Sequence, residues 1–98
     1  MKEKVFEDNH VKPFLKNIPK CWFFKVHGGS IFQVAGIPDI VGVVNGRFIA
    51  LELKADNGKP SDLQLRTLRL INDAGGYGRL VYPSNWEEVK QELKELLK

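Results

Sequence analysis

Residues 36–54 read GIPDIVGVVNGRFIALELK and give the clearest indication of the fold. The centre of this stretch is the dipeptide Asn45-Gly46 between two apolar runs, which is the strongest short-range signal for a two-residue β-hairpin turn. Most of the stretch has the apolar composition of a buried hairpin. Three charged side chains do not fit that composition and therefore need an explanation: Asp39, Glu52 and Lys54.

The hairpin turn also fixes which residues of the two strands face each other. With Asn45 and Gly46 in the turn, successive pairs place Asp39 directly opposite Glu52 on one face of the hairpin. Because side chains on a strand alternate between faces, Lys54 shares that face. Directly opposed residues have Cβ atoms about 4.5–5.5 Å apart, so two carboxylates at these positions repel each other, and burial strengthens the repulsion.

Something must offset this repulsion if the carboxylates are buried. Lys54 is one candidate, as an ion-pair partner. A hard, oxygen-preferring cation such as Mg²⁺ is a stronger one, since two carboxylates converging from adjacent strands suit its coordination. The alternative is a charged rim at the end of the hairpin that faces solvent.

The flanking segments predict an α/β fold with the element order α-β-β-β-α-β-α and a mixed sheet covered by helices on both faces. A helix is predicted over residues 3–17, where Pro13 requires either a kink or a restart with Asn9 as the cap. Residues 20–27 predict a strand and residues 61–76 a helix with a Ser61–Gln64 capping box. A strand and a last helix, capped by Ser84 and Glu87, complete the chain. We expect one domain over residues 1–98.

The composition favours a cytoplasmic protein that does not enter a membrane. The chain has 98 residues, of which 43% are hydrophobic, and no apolar run approaches the ~20 residues that span a bilayer. The first ten residues are charged and lack the apolar core of a signal peptide. A single cysteine suits a reducing compartment, and the net charge of +3 permits nucleic-acid binding without requiring it.

The spacing of these residues resembles a nuclease signature. Pro38-Asp39 followed by Glu52-Leu53-Lys54 is similar to the PD-(D/E)xK motif, and AGIPDIVGVVNGRFIALELKADNGKPSDLQ resembles the VRR-NUC branch, the virus-type replication-repair nucleases. The likeness covers residues 24–89. It implies a restriction-endonuclease-like sheet and a metal-dependent phosphodiesterase that acts on DNA with Mg²⁺ or Mn²⁺.

The resemblance also implies roles for individual residues. Asp39 and Glu52 become metal ligands together with the backbone carbonyl of Leu53, and Lys54 becomes the catalytic lysine. Gln64 matches a glutamine that the family places near the site, and the capping box is its alternative role. It lies on one helical stripe with Leu68 and Ile71, and it therefore points towards the sheet.

The resemblance implies a further acid near the metal on the first helix, for which Glu7 and Asp8 compete, and Glu7 is preferred as the additional metal ligand. Phosphate contacts that carry no sequence information are expected from basic residues near the site. The candidates are Lys25, His27, Lys59, Arg66 and Arg69, with Lys12 as an addition. His27 could equally be an ordinary residue at a strand end.

These inferences predict a DNA endonuclease that recognises branched DNA, such as Holliday junctions or flaps, as a homodimer. Candidates for the dimer interface are the loop over residues 28–38 and three leucines of the Gln64 helix that could also be core: Leu63, Leu65 and Leu70. Two alternatives stay open. One is a non-catalytic DNA-binding or scaffolding module, which the intact charged set disfavours, and the other is an enzyme that cleaves RNA or nucleotides with the same site.

Overall fold

The computed structural model describes residues 1–27 and 35–98, and these residues form an α/β fold around a four-stranded mixed sheet. The strands lie in the order β1-β2-β3-β4. The first three are antiparallel neighbours, and β4 runs parallel to β3. The predicted α/β class and the mixed sheet are confirmed. The strands are β1 Cys21–Lys25, β2 Ile40–Val44, β3 Arg47–Leu53 and β4 Tyr77–Val81.

The hairpin of β2 and β3 has the predicted register. Asn45 and Gly46 have positive φ angles of 49° and 82°, as a turn with left-handed residues at both central positions requires. Val44 pairs with Arg47, and the ladder continues to Ile40 and Leu51. The next pair outward is Asp39 and Glu52.

The N-terminal helix runs without interruption through three stretches, so that of the two alternatives raised by Pro13 the restart at Asn9 is wrong. It consists of α1 (Glu3–Phe6), a π-helix (Glu7–Val11) and α2 (Lys12–Asn17). Asn9 lies inside the π-helix, and its side chain caps nothing. The wider π-helical turn precedes Pro13, which lies in the first turn of α2, and so the helix continues past a residue that has no amide hydrogen.

One face of the sheet carries the main hydrophobic core. The N-terminal helix and α4 (Trp86–Glu95) pack on this face. Because buried apolar area is the main favourable term in folding, this layer holds the N-terminal helix against the strands. Its fully or nearly buried members are Phe6, Val11, Leu15, Ile40, Val44, Ile49, Leu51, Leu53, Val81, Trp86, Val89 and Leu93.

The opposite face is covered by α3 (Asp62–Asp73) only over β3 and β4. Gly78 permits this packing, because a Cβ there would lie 3.0 Å from the carbonyl oxygen of Leu68. The part of this face over β1, β2 and the first residues of β3 keeps a row of exposed apolar side chains, which we call the aromatic face. It consists of Trp22, Phe24, Val43 and Phe48.

The predicted cap of the last helix is wrong. Pro83–Asn85 form a short 3₁₀ turn, and α4 begins at Trp86. The side chain of Asn85 accepts a hydrogen bond from the Tyr82 amide at 2.8 Å and donates one to the Leu80 carbonyl at 3.1 Å. Asn85 therefore stabilises the turn that precedes α4, since an amide side chain can donate and accept at once, but its side chain makes no cap hydrogen bond to α4 itself.

The predicted apolar loop lies partly outside the residues that the structure describes. Ile31, Phe32 and Val34 of the predicted apolar loop lie outside the described residues. Within residues 1–27 and 35–98, no helix has the length and apolar character needed to cross a membrane.

Candidate metal centre

Asp39 lies immediately before β2, and the backbone of the neighbouring strand fixes its carboxylate. Its Oδ2 accepts a hydrogen bond from the Leu53 amide at 2.8 Å, and its Oδ1 lies 3.6 Å from the Lys25 ammonium. The side chain is 22% exposed. Oδ2 of Asp39 is therefore fixed by a hydrogen bond to β3, whereas Oδ1 is less constrained and faces the space beside the strand.

Glu52 projects from β3 and is 3% exposed. Its Oε1 accepts a hydrogen bond from Gln64 at 3.0 Å, whereas its Oε2 is buried and has no hydrogen-bond partner among the described residues. Burial and the neighbouring Asp39 carboxylate raise the pKa of Glu52 to about 8. Such a shift indicates that the site disfavours a second negative charge until a cation neutralises it.

The backbone of Leu53 presents its carbonyl to the same space. Successive residues in a strand direct their backbone groups to opposite neighbours. The Lys54 amide donates to Val81 of β4, and the Leu53 amide donates to Asp39 on the β2 side. Because β2 pairing ends at Leu51, the Leu53 carbonyl lies on the Asp39 side beyond the last paired residue.

Lys54 follows β3 and is half-buried beside Glu52. Burial and Asp39 raise the pKa of Glu52, and the positive charge of Lys54 partly opposes them. The stem of Lys54 packs against Gly58, where a Cβ would lie 3.2 Å from the Cβ of Lys54. In the described parts of the chain the ammonium forms no ion pair, and so it is available to another anion.

Gln64 has both of the roles that the sequence left open. Its amide and its Oε1 complete the capping box with Ser61, at 3.1 and 2.8 Å. Its Nε2 meanwhile donates to Glu52 at 3.0 Å. One side chain thus begins α3 and orients the buried carboxylate, because an amide has a donor and an acceptor on separate atoms.

The helix acid that faces the sheet is Glu7, not Asp8. Glu7 is 3% exposed, and its oxygens lie 2.6 Å from Lys25 and 2.9 Å from Lys12. Burial alone would raise the pKa of Glu7, but the hydrogen bonds from these two lysines lower it to about 2. Asp8 is 43% exposed and pairs only with Lys4 and Lys12. Both Glu7 oxygens are therefore engaged by lysines, and Lys25 lies between Glu7 and Asp39.

The sequence interpretation missed Glu3, one helical turn before Glu7. Burial and then the charge of Asp39 raise the pKa of Glu3, and the charges of Lys54 and Lys25 oppose this. Glu3 therefore belongs to the electrostatic surroundings of the site. The i,i+4 spacing of Glu3 and Glu7 was the available signal, since such residues share one helix face.

The remaining predicted contact residues are exposed. His27 is exposed beyond the end of β1, and Arg66 and Arg69 are exposed on α3. Lys59 lines a cleft of about 450 Å³ next to Gly58, which itself packs against Lys54. Lys25 and Lys12 differ from these four residues, because both are paired with Glu7.

The donor set suits one hard cation. No group of three or more Asp, Glu, His and Cys side chains in residues 1–27 and 35–98 is arranged to hold a metal ion. Asp39 and Glu52 supply two carboxylates, and the Leu53 carbonyl supplies a third oxygen. Among the described residues, Oε2 of Glu52 is buried without a hydrogen-bond partner and, unlike Oε2 of Glu7, has no lysine at ion-pair distance. This is the observation that fits a cation, because unpaired buried carboxylate oxygens are costly.

Comparisons with known proteins add no relative to these observations. No protein-family model matches the chain, and no curated protein matches its sequence.

Proposed function

We propose that this protein is a divalent-metal-dependent DNA endonuclease with a restriction-endonuclease-like fold, of the VRR-NUC type. The observation that carries the proposal is the opposed pair Asp39 and Glu52, in which Oε2 of Glu52 has no hydrogen-bond partner and the nearby Lys54 no ion pair among residues 1–27 and 35–98. A structural ion pair would bring the lysine onto the carboxylate. Here the cationic side chain and the buried oxygen remain separate, as a site for metal and phosphate requires.

The residues of the site have separate roles in the proposed hydrolysis of the phosphodiester. Bound Mg²⁺ or Mn²⁺ would polarise the scissile phosphate and lower the pKa of a water molecule. Asp39 and Glu52 hold the ion with the Leu53 carbonyl, and the Leu53 amide and Gln64 orient the two carboxylates. Lys54 holds the attacking water or stabilises the charge that develops on the phosphate.

The proposed substrate surface is the exposed basic set around the centre. The members that carry no ion pair among the described residues are His27, Lys59, Arg66 and Arg69. Such side chains contact phosphates without reading base sequence, and this favours recognition of DNA structure. Branched DNA, such as a four-way junction or a flap, is the proposed substrate class.

The proposed assembly is a two-fold homodimer that buries the aromatic face. Trp22 is 62% exposed, and Phe24 and Phe48 are 49% and 47% exposed. From full side-chain areas of about 150–250 Å², these rings and Val43 expose roughly 400 Å², about half of what one partner gives to a standard interface. The predicted contributors Leu63 and Leu70 are also exposed, at 41% and 52%, on α3 over the same sheet face.

The aromatic face lies on the same side of the sheet as the Asp39–Glu52 pair. We therefore favour a second copy of this chain as the partner that covers the aromatic face. A closed two-fold contact buries one patch on both chains, and it places the two metal centres on related surfaces. Leu65 is half-buried and contributes less to this contact than the other two leucines.

One experiment tests activity and assembly together. We expect the wild type with Mn²⁺ to cut a four-way junction by paired incisions, faster than a flap or linear duplex, and to have a dimeric mass by light scattering. Trp22→Glu should be monomeric and lose the paired incisions, whereas Trp86→Phe, a buried change on the other face, should keep both. No cleavage of any DNA with Mn²⁺ contradicts the nuclease. A monomeric wild type with unpaired cuts contradicts only the dimer.

A further inference from the structure

Lys25 lies between the helix acid and the candidate metal centre. Its Nζ is 2.6 Å from Oε1 of Glu7 and 3.6 Å from Oδ1 of Asp39. The Oδ1 atom is the Asp39 oxygen that the Leu53 amide leaves free. The ammonium therefore stands next to the carboxylate oxygen that a metal ion would use.

The position of Lys25 is determined by Glu7. The Lys25 ammonium lies 2.6 Å from Glu7 and 3.6 Å from Asp39, so the contact to Glu7 is the closer one. Glu7 is 3% exposed and itself receives Lys12 at 2.9 Å and Lys4 at 3.6 Å. Three lysines thus surround one buried carboxylate, and this arrangement holds the Lys25 ammonium at an intermediate distance from the metal centre.

We propose that Lys25 is a built-in counter-cation of the metal centre, held back by Glu7 so that Asp39 remains available to metal. The proposal rests on the function proposed above. In the absence of metal, the ammonium partly neutralises Asp39. A bound metal ion would repel the ammonium, and Glu7 would keep the ammonium away from Asp39. Glu7 is then a positioning residue that acts through Lys25 and is not itself a metal ligand.

Removal of the lysine charge gives the first test. In Lys25→Met the competing cation is gone, and Mn²⁺ affinity measured by calorimetry should rise about tenfold, because opposite charges at this distance interact strongly in partly buried sites. Lys25→Arg keeps the charge and should bind Mn²⁺ within about twofold of the wild type. If Lys25 had only a structural role, Lys25→Met would bind Mn²⁺ with unchanged or weaker affinity.

Removal of the Glu7 charge should have the opposite effect. In Glu7→Gln the ammonium loses its stronger partner and moves towards Asp39, so that Mn²⁺ affinity should fall about tenfold. The double variant Lys25→Met/Glu7→Gln should bind Mn²⁺ like Lys25→Met alone. If Glu7 were a direct ligand, its substitution would weaken binding by the same factor in both backgrounds, since a double-mutant cycle isolates the coupling between two residues.

The outcomes separate this inference from the proposed function. A wild type that binds no Mn²⁺ overturns both. A wild type that binds Mn²⁺, together with folded Lys25→Met of unchanged or lower affinity, overturns the counter-cation alone. Should Lys25→Met fail to fold, Glu7→Gln and Lys25→Arg decide, because a Glu7→Gln affinity equal to or above that of the wild type contradicts the proposal.

Discussion

Replacement of Lys54 by methionine should reduce the rate of DNA cleavage by about 10²–10³-fold while Mn²⁺ and DNA affinities stay within about twofold of the wild type. Lys54 carries no ion pair among the described residues, and its stem packs against the Gly58 loop, which a methionine can also do. We therefore expect the lost group to act on the water or on the charge of the transition state rather than on ground-state binding.

The matched control for this prediction is Lys94→Met, an exposed lysine on α4 that should leave the rate unchanged. Single-turnover cleavage of a labelled junction, with calorimetry for metal and anisotropy for DNA, separates the three quantities. Wild-type cleavage by Lys54→Met would remove Lys54 from the reaction, and a parallel loss of Mn²⁺ affinity would make it part of the metal site instead.

Glu52→Gln should stabilise the metal-free protein at alkaline pH although it destroys the metal site. The pKa of Glu52 is about 8 in the folded chain against 4.5 for the ordinary group, so the folded state binds this proton more tightly than the unfolded state does. Stability of the wild type in a chelator should therefore fall as pH rises from about 4.5 to about 8. The glutamine has no charge to bury and still accepts the hydrogen bond from Gln64.

At pH 8.5 we expect Glu52→Gln to exceed the wild type by at least about 2 kcal/mol, a rise in Tm of roughly 8 °C or more for a domain of this size. Because the pKa of Glu7 is lowered, this group changes the stability only below about pH 4.5, which is outside the pH range in which Glu52 acts. Added Mn²⁺ should raise the Tm of the wild type and not that of the variant, since only binding to the folded state stabilises it.

Thermal melts in a chelator from pH 5.5 to 8.5 check this prediction, with the exposed Glu87→Gln as a control that should follow the wild type. A Glu52→Gln protein no more stable than the wild type at pH 8.5 would contradict the claim that Glu52 is buried with an uncompensated charge.

The hairpin could be predicted closely because local chemistry determines it. Asn45-Gly46 supplies the two positive φ angles, and the register then follows without tertiary information. The same logic found the Ser61–Gln64 capping box. It failed at Ser84, because Pro83–Asn85 form a 3₁₀ turn and α4 begins only at Trp86, so that Ser84 does not stand at the helix start.

The surroundings of the carboxylate pair were harder to predict because they depend on packing between distant segments. The Lys25–Glu7 contact joins β1 to a π-helical turn, and a single π-helical stretch has no sequence pattern as clear as a capping box. The sequence therefore identified Glu7 as an acid near the site but not the lysines that surround it. The aromatic face was likewise hidden, since an aromatic-rich strand does not reveal which of its rings α3 leaves uncovered.

Calorimetric titration with Mn²⁺ measures whether Asp39 and Glu52 form the proposed metal site. Asp39→Asn keeps an oxygen for the Leu53 amide and removes only the charge, and the exposed Asp73→Asn serves as its control. We predict that the wild type and Asp73→Asn bind a single Mn²⁺ ion with equal affinity and that Asp39→Asn shows no binding. Equal binding by Asp39→Asn, or no binding by the wild type, would contradict the account.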